Sequence, residues 1–186
     1  MTEPSAWITR FGASAPTGGA VLDVACGDGR HTRWFAARGH PVVAVDRDLR
    51  GVDDLRGDQR VELIDADLET GAASPVAGRT FAVVVVTNYL WRPILGDLVG
   101  SVGPGGWLLY ETFAIGNERF GHPTNPDFLL RPGELLEVAR THGLRIVAYE
   151  DLVVDEPRPA AIQHIAAVSP SAAHASTVNE TRDGLR

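Results

Sequence analysis

Three acids stand at or near the ends of apolar runs early in the chain. Asp23 sits inside VLDVA, Asp46 closes VVAVD, and Asp67 lies in ELIDADL. Between the first two runs the chain reads A-C-G-D-G-R-H, with Ala25, Gly27 and Gly29 at alternate positions. Small residues at that spacing let a backbone approach a ligand closely. A carboxylate one strand further on, here Asp46, can accept both hydroxyl protons of a ribose. Asp67, or the backbone of Leu68 beside it, is placed to receive an adenine edge. The charge of the turn then selects among nucleotide-type cofactors. A dinucleotide turn, G-x-G-x-x-G, brings a helix N-terminus to a pyrophosphate. Here Asp28 occupies the middle of the turn and Asp23 lies beneath it, so a phosphate would meet like charge. A cation fits better. S-adenosylmethionine carries a sulfonium and an α-ammonium group and no phosphate.

The elements that must position these residues follow from the hydropathy pattern. Residues 20–25 read as a buried strand, 29–38 as a helix with Trp34 and Phe35 inward and Gly39 as its stop, and 41–45 as a second strand. A weak helix over 49–57, interrupted by Gly51, leads to a strand at 60–64 and a small-residue loop at 71–78. Residues 81–86 are almost purely β-branched, the mark of a strand apolar on both faces in mid-sheet. A helix over 89–102, a sharp G-P-G-G turn at 103–106 and a strand at 107–112 follow. The polar, Gly/Pro-punctuated segment 113–130 is either a solvated loop or a lid over the site. Pro132 opens a helix over 133–142, and strands at 144–154 and 160–168 flank a turn holding Pro157 and Pro159.

Trp7, Ile8 and Phe11 have helical spacing, so residues 6–11 read as a short helix, a flap over the cofactor in preference to plain core packing. The pattern defines an α/β, doubly wound, Rossmann-like sheet of seven strands. It closes in a C-terminal antiparallel hairpin, because a short turn cannot make a parallel crossover. One domain over 1–169 is expected, with a disordered tail over 170–186, where no periodicity survives.

Bulk properties narrow the partners. The net charge is −7, and all 17 cationic residues are arginines spread without a basic block. That argues against a broad phosphate-backbone footprint, so nucleic acid is not the expected partner and a small molecule is. The lone Cys26 excludes an internal disulfide and reads as a small buried residue rather than a nucleophile. It fits a reducing, cytoplasmic setting. No basic-then-apolar leader and no membrane-length apolar run is seen. No His/Cys/Asp cluster has metal-ligand spacing, so no metal is expected.

The segments LDVACGDGRHT, VVAVDRD and ELIDADL, with the closing hairpin, resemble class I S-adenosylmethionine-dependent methyltransferases over roughly residues 7–168. FLLRPGELLEVA followed by LRIVAYED is similar to the small methyltransferases of the tellurite-resistance type. The resemblance implies roles. The backbone around Ala25, Gly27 and Gly29 would hold the methionine part, with Asp23 ordering that loop or meeting the ammonium. Asp46, with Arg47 beside it, would take the ribose, and Asp67 and Leu68 the adenine. Asn88, Tyr89 and Leu90 would border the methyl group. Two departures stand out: Ala25 replaces a commoner glycine, and Ala82 stands where many relatives carry an acid, so no catalytic carboxylate is inferred there.

Tyr89, Glu111 and His122 are the candidates to contact the acceptor, and His122 is able to take a proton near neutral pH. TNYL at 87–90 is similar to the asparagine-headed motif of enzymes that methylate nucleic-acid bases, but lacks its two prolines. The expected reaction is methyl transfer to a small molecule by in-line displacement, with S-adenosylhomocysteine as product. The alternatives are a methyltransferase acting on protein or RNA, an NAD-dependent oxidoreductase, and a module that holds the cofactor without catalysis.

Overall fold

The computed structural model describes residues 3–156 and 158–171. Its seven strands are β1 (Val21–Val24), β2 (Val42–Asp46), β3 (Val61–Asp65), β4 (Phe81–Thr87), β5 (Val102–Phe113), β6 (Arg145–Val154) and β7 (Ala160–Val168). They form one sheet in the order β3-β2-β1-β4-β5-β7-β6. The first five run parallel, and β7 lies antiparallel between β5 and β6. The order therefore reverses between β1 and β4, which opens a crevice past their carboxyl ends. The central strand β4 carries Val83, Val84, Val85 and Val86, all fully buried.

Alternation along the strands divides the interior into two layers. Leu22, Val24, Val84, Val86, Leu108 and Tyr110 pack with Leu95, Leu98, Leu135 and Ala139 of α3 (Arg92–Gly100) and α4 (Glu134–Thr141). On the other face Val21, Val83, Val85, Leu109 and Ala166 pack with Trp7, Ile8, Phe11 and Phe35 of α1 (Ala6–Gly12) and α2 (Arg30–Ala36). This is the doubly wound sheet with a closing hairpin that the pattern implies. Among the described residues no helix is long and apolar enough to cross a membrane.

Several boundaries differ from the pattern, each for a local reason. The helix expected from Tyr89 starts at Arg92, because Asn88 is left-handed at φ 54°, Trp91 is extended at φ −137°, and Pro93 occupies the first turn. The weak helix after β2 is a pair of 3-10 turns over Leu49–Leu55, broken at Val52. The G-P-G-G turn lies inside β5 rather than before it. Phe81 pairs with Val102 and Val83 already pairs with Trp107, so the glycines form a bulge, with Gly105 left-handed at φ 72°.

Segment 113–130 is built rather than loose. Ala114 bridges Leu130, and two short 3-10 turns cover Asn117–Arg119 and Pro126–Phe128. At the C-terminal end the Gly105 N–H donates to Ser169 O and Pro170 O, so the chain stays tied to the sheet one residue past the expected boundary. The rest of the expected tail, from residue 172, and Pro157 of the expected turn lie outside the described residues.

Candidate active site

The loop after β1 turns three times into left-handed backbone, at Ala25 (φ 51°), Gly27 (φ 56°) and Gly29 (φ 70°). Held there, Ala25 costs about 1 kcal/mol that a glycine would not. The loop is closed from β2. Cys26 N–H donates to Val45 O at 3.1 Å, and Gly27 N–H donates to Asp46 Oδ2 at 2.8 Å. Asp46 Oδ1 accepts from Asp48 N–H at 2.9 Å. Asp46 is thus not the cap of the following turns. Asp48 is, accepting from Arg50 N–H at 3.1 Å. The turns press on the loop: a Cβ at Gly51 would lie 2.7 Å from Gly27 O, and one at Gly29 would lie 2.4 Å from Val52 Cγ1. A Cβ at Gly27 would meet nothing within 4 Å, so this backbone faces open space.

Asp23 is fully buried and accepts from Thr32 Oγ1 at 2.6 Å, which pins α2 to β1 beneath the loop. Burial pushes its carboxyl up to about 6, against the Thr32 hydrogen bonds that hold it down. His31, the residue before Thr32, is also buried. Its Nε2 accepts from Ser5 N–H at 3.2 Å, and burial, with Arg30 adding to it, lowers the imidazole to about 4. His31 is a neutral acceptor that ties the N-terminal segment to α2. No sequence signal marks it, because its partner, the Ser5 N–H, is 26 residues away and is brought to it by the fold. Cys26 is buried, and burial beside Asp23 and Asp46 raises its thiol far above the usual range.

Three cavities lie side by side along the carboxyl edge of the sheet. The first, about 250 Å³, is lined by Ala25, Asp46, Arg47, Asp67, Leu68 and Tyr89. The second, about 560 Å³, is lined by Asn88, Tyr89, Leu90, Phe113, His122 and Asn125 among others. The third, about 610 Å³, takes in Trp7, Asn88, Glu111, Phe113, Ile162 and His164. The acceptor-contact candidates are therefore split. Tyr89 and His122 share the second cavity, while Glu111 faces the third, with Asn88 and Phe113 lining both.

Asn88 N–H donates to Glu111 O at 2.9 Å and fixes this junction. Helix α1 borders the third cavity and none of the first, and its Trp7, Ile8 and Phe11 are buried against the sheet. It packs into the core and also lines the third cavity through Ala6 and Trp7. Asp67 is exposed and accepts from Glu69 N–H at 2.8 Å.

Segment 113–130 is anchored from α3. Arg92 donates to Asp127 O at 2.7 Å, to Leu129 O at 2.8 Å and to both oxygens of the buried Glu134. For Glu134, burial is the largest influence and acts upward. The Arg92 and Arg131 hydrogen bonds outweigh it and hold the carboxyl down at about 2.

The first cavity suits a ribose- and adenine-bearing cation. Asp46 supplies a carboxylate, and the Tyr89 hydroxyl is buried with no partner among the described residues. This sheet order, switch-point crevice and acidic glycine loop make a doubly wound α/β fold with a candidate nucleotide-cofactor site at its carboxyl edge. Consistent with that, residues 21–106 match the family described as a methyltransferase domain.

Among solved structures, TehB from Haemophilus influenzae superposes with a TM-score of 0.69 at 16% identity, over 88% of this chain and 61% of that one. The chain thus spans less than two thirds of TehB. A TehB-like methyltransferase from Corynebacterium glutamicum gives 0.62 at 21% identity, over 89% and 87% of the two chains. The Burkholderia thailandensis 1,6-didemethyltoxoflavin-N1-methyltransferase, crystallised with 1,6-didemethyltoxoflavin and S-adenosylhomocysteine, gives 0.63 at 18% identity, over 89% and 77%. At these identities the likeness is one of fold. No curated protein matches the chain.

Proposed function

We propose that this chain methylates a small-molecule acceptor by in-line displacement, with the cofactor in the first cavity and the acceptor in the two beside it. The observation that carries this reading is the unbroken run of cavities from Asp46 and Asp67, past Asn88 and Tyr89, to Glu111. S-adenosylmethionine, when bound, supplies a sulfonium-activated methyl group. The chain's task is then alignment, water exclusion and handling of the acceptor's proton. In this reading the backbone of Ala25, Gly27 and Gly29 holds the methionine part above Asp23. Asp46 and Arg47 hold the ribose, Asp67 and Leu68 the adenine, and Asn88 and Leu90 border the methyl group. Tyr89, Glu111 and His122 contact the acceptor. Burial raises the Tyr89 phenol well above its usual value, so Tyr89 donates a hydrogen bond and does not act as a base. Segment 113–130 shields the second cavity as a lid.

The small-molecule class is supported by the surface charge. Arg33, Arg50, Arg56, Arg60 and Arg79 each pair with a nearby Asp or Glu, and the chain's net charge is −7, which disfavours a polyanion. The toxoflavin-precursor methyltransferase, which shares the fold, was crystallised with a small heterocyclic molecule. The test is calorimetric titration with S-adenosylmethionine, S-adenosylhomocysteine and NAD in parallel. Micromolar binding of the first two without heat from NAD is expected. NAD heat alone would overturn the reading.

A further inference from the structure

Glu111 on β5 and Glu150 on β6 both pair directly with His164 on β7, so the three stand in one row across the sheet. The His164 side chain is 12% exposed, and both its ring nitrogens are buried with no hydrogen-bond partner among the described residues. Glu111 Oε2 lies 3.8 Å from Nδ1, just beyond hydrogen-bond range. Trp7 covers the ring edge-on at 4.8 Å, and its own Nε1 also lacks a partner among the described residues. Each such orphan costs about 1–3 kcal/mol, so a cluster of them beside a cavity marks polar capacity kept for a ligand.

The Glu111 carboxylate already shows what it accepts. The Ser5 hydroxyl donates to its Oε2 at 2.6 Å from the segment that lines the same cavity. Around this polar spot the wall is apolar: Phe113, Val154, Ala160 and Ile162. Arg30 and Arg158 supply the cavity's cations.

We propose that the third cavity takes a planar, mainly apolar acceptor bearing one ionisable O–H or N–H, which displaces the Ser5 hydroxyl from Glu111, and that His164 is the positioning residue sharing its proton. This rests on the methyltransferase reading. As the acceptor atom's lone pair forms its bond to the methyl carbon, the sulfur keeps the electrons of the bond that breaks. The acceptor's proton passes to the Glu111–His164 pair. Burial lowers the imidazole below its ordinary value, against the pull of Glu111 and Glu150, so the ring is neutral and free to share that proton. An anionic acceptor would face Glu3, Glu111 and Glu156, which line the cavity, and is disfavoured.

The full chain is titrated with three probes of one ring system: 2-naphthol, 2-methoxynaphthalene and 2-naphthoate. S-adenosylhomocysteine binding is read separately by calorimetry. We expect 2-naphthol to bind about tenfold more tightly than 2-methoxynaphthalene, the scale of one well-placed hydrogen bond to a charged group. Glu111→Gln should collapse that preference to under about twofold, while S-adenosylhomocysteine binding is unchanged. In wild-type protein with 15N-labelled histidine, the His164 ring signals, assigned by their loss in His164→Phe, should move with 2-naphthol and stay fixed with 2-methoxynaphthalene.

Equal affinities, a preference that survives Glu111→Gln, or unmoved His164 signals would overturn the inference. Tighter binding of 2-naphthoate would also overturn it, by making Arg30 and Arg158 the anchor. If S-adenosylhomocysteine binds and the naphthol preference is absent, this inference alone fails. If S-adenosylhomocysteine does not bind, the methyltransferase reading fails, and the naphthol arms still decide the cavity.

Discussion

Asp46 carries two duties that a substitution can separate. One oxygen holds the Gly27 N–H at 2.8 Å and the other the Asp48 N–H at 2.9 Å, yet a carboxylate has about four acceptor sites. The remaining lone pairs border the first cavity, where a ribose diol needs two acceptors. Asp46→Ala should weaken S-adenosylhomocysteine binding by roughly ten- to a hundredfold, or about 1.4–2.8 kcal/mol. An unchanged dissociation constant in calorimetry would remove Asp46 from the ribose site.

Asp23, held by Thr32, and His31, the residue before that threonine, are both buried and set opposite pH dependences. Asp23 is raised from 3.8 to about 6, so between those values the folded state holds a proton that the unfolded state lacks, and stability rises as pH falls. His31 is lowered from 6.5 to about 4, so across that window the unfolded state holds the extra proton, and stability falls as pH falls. The two nearly cancel between pH 4 and 6. Asp23→Asn should therefore expose the His31 slope, up to about 1.4 kcal/mol per pH unit, as a steeper acid loss than in wild type. Urea unfolding at pH 4, 5, 6 and 7 reads it, and parallel curves for the two proteins would refute the assignment.

At the scale of elements, the Arg92–Glu134 pair joins α3, α4 and segment 113–130. Glu134 is 4% exposed and Arg92 30%, so removing the arginine leaves a buried carboxylate with only Arg131 beside it. Arg92→Ala should cost about 2–4 kcal/mol in urea unfolding, near the range for breaking a buried pair. It should also speed amide exchange over 126–130, since the Asp127 and Leu129 carbonyls lose their donor. Exchange unchanged there would mean that Arg92 does not anchor the segment. The same pair sets an acid limit. The Glu134 carboxyl sits at about 2 against an ordinary 4.5, so its contribution is full above 4.5 and is lost as pH falls towards 2.

The strands were legible because β-branched and apolar runs alternate with small-residue turns, whereas the insertion of β7 between β5 and β6 was not. The start of α3 was not, because it depends on Asn88 taking a left-handed conformation that asparagine tolerates but does not announce. The β5 bulge was hidden for a similar reason: G-P-G-G reads as a turn unless its pairing with Phe81 is known. The placement of Asp46, Asp67 and the glycine loop at strand ends was readable because their spacing is local to neighbouring strands. His164 was not, because what brings it to Glu111 is cross-strand register between β5 and β7.

For the molecule as a whole, the first cavity borders the seam where the two halves of the sheet diverge, between β1 and β4. Its walls come from the segment after β1, from β2, and from the segments after β3 and β4, through Ala25, Asp46, Asp67 and Tyr89. A ligand held by four separate stretches binds only when all four are in place, so it favours the folded state and not the unfolded chain. Linkage then gives about 2.7 kcal/mol of added stability at a hundredfold excess over the dissociation constant. For a chain of this size that corresponds to a rise in Tm of roughly 5–11 °C. S-adenosylhomocysteine should produce a shift of this order, growing with the logarithm of its concentration, and NAD should produce none. In Asp46→Ala the shift at the same concentration should shrink by the free energy lost in binding. A full shift in that variant would place the ligand somewhere other than the seam, and the assignment of the first cavity would fall with it.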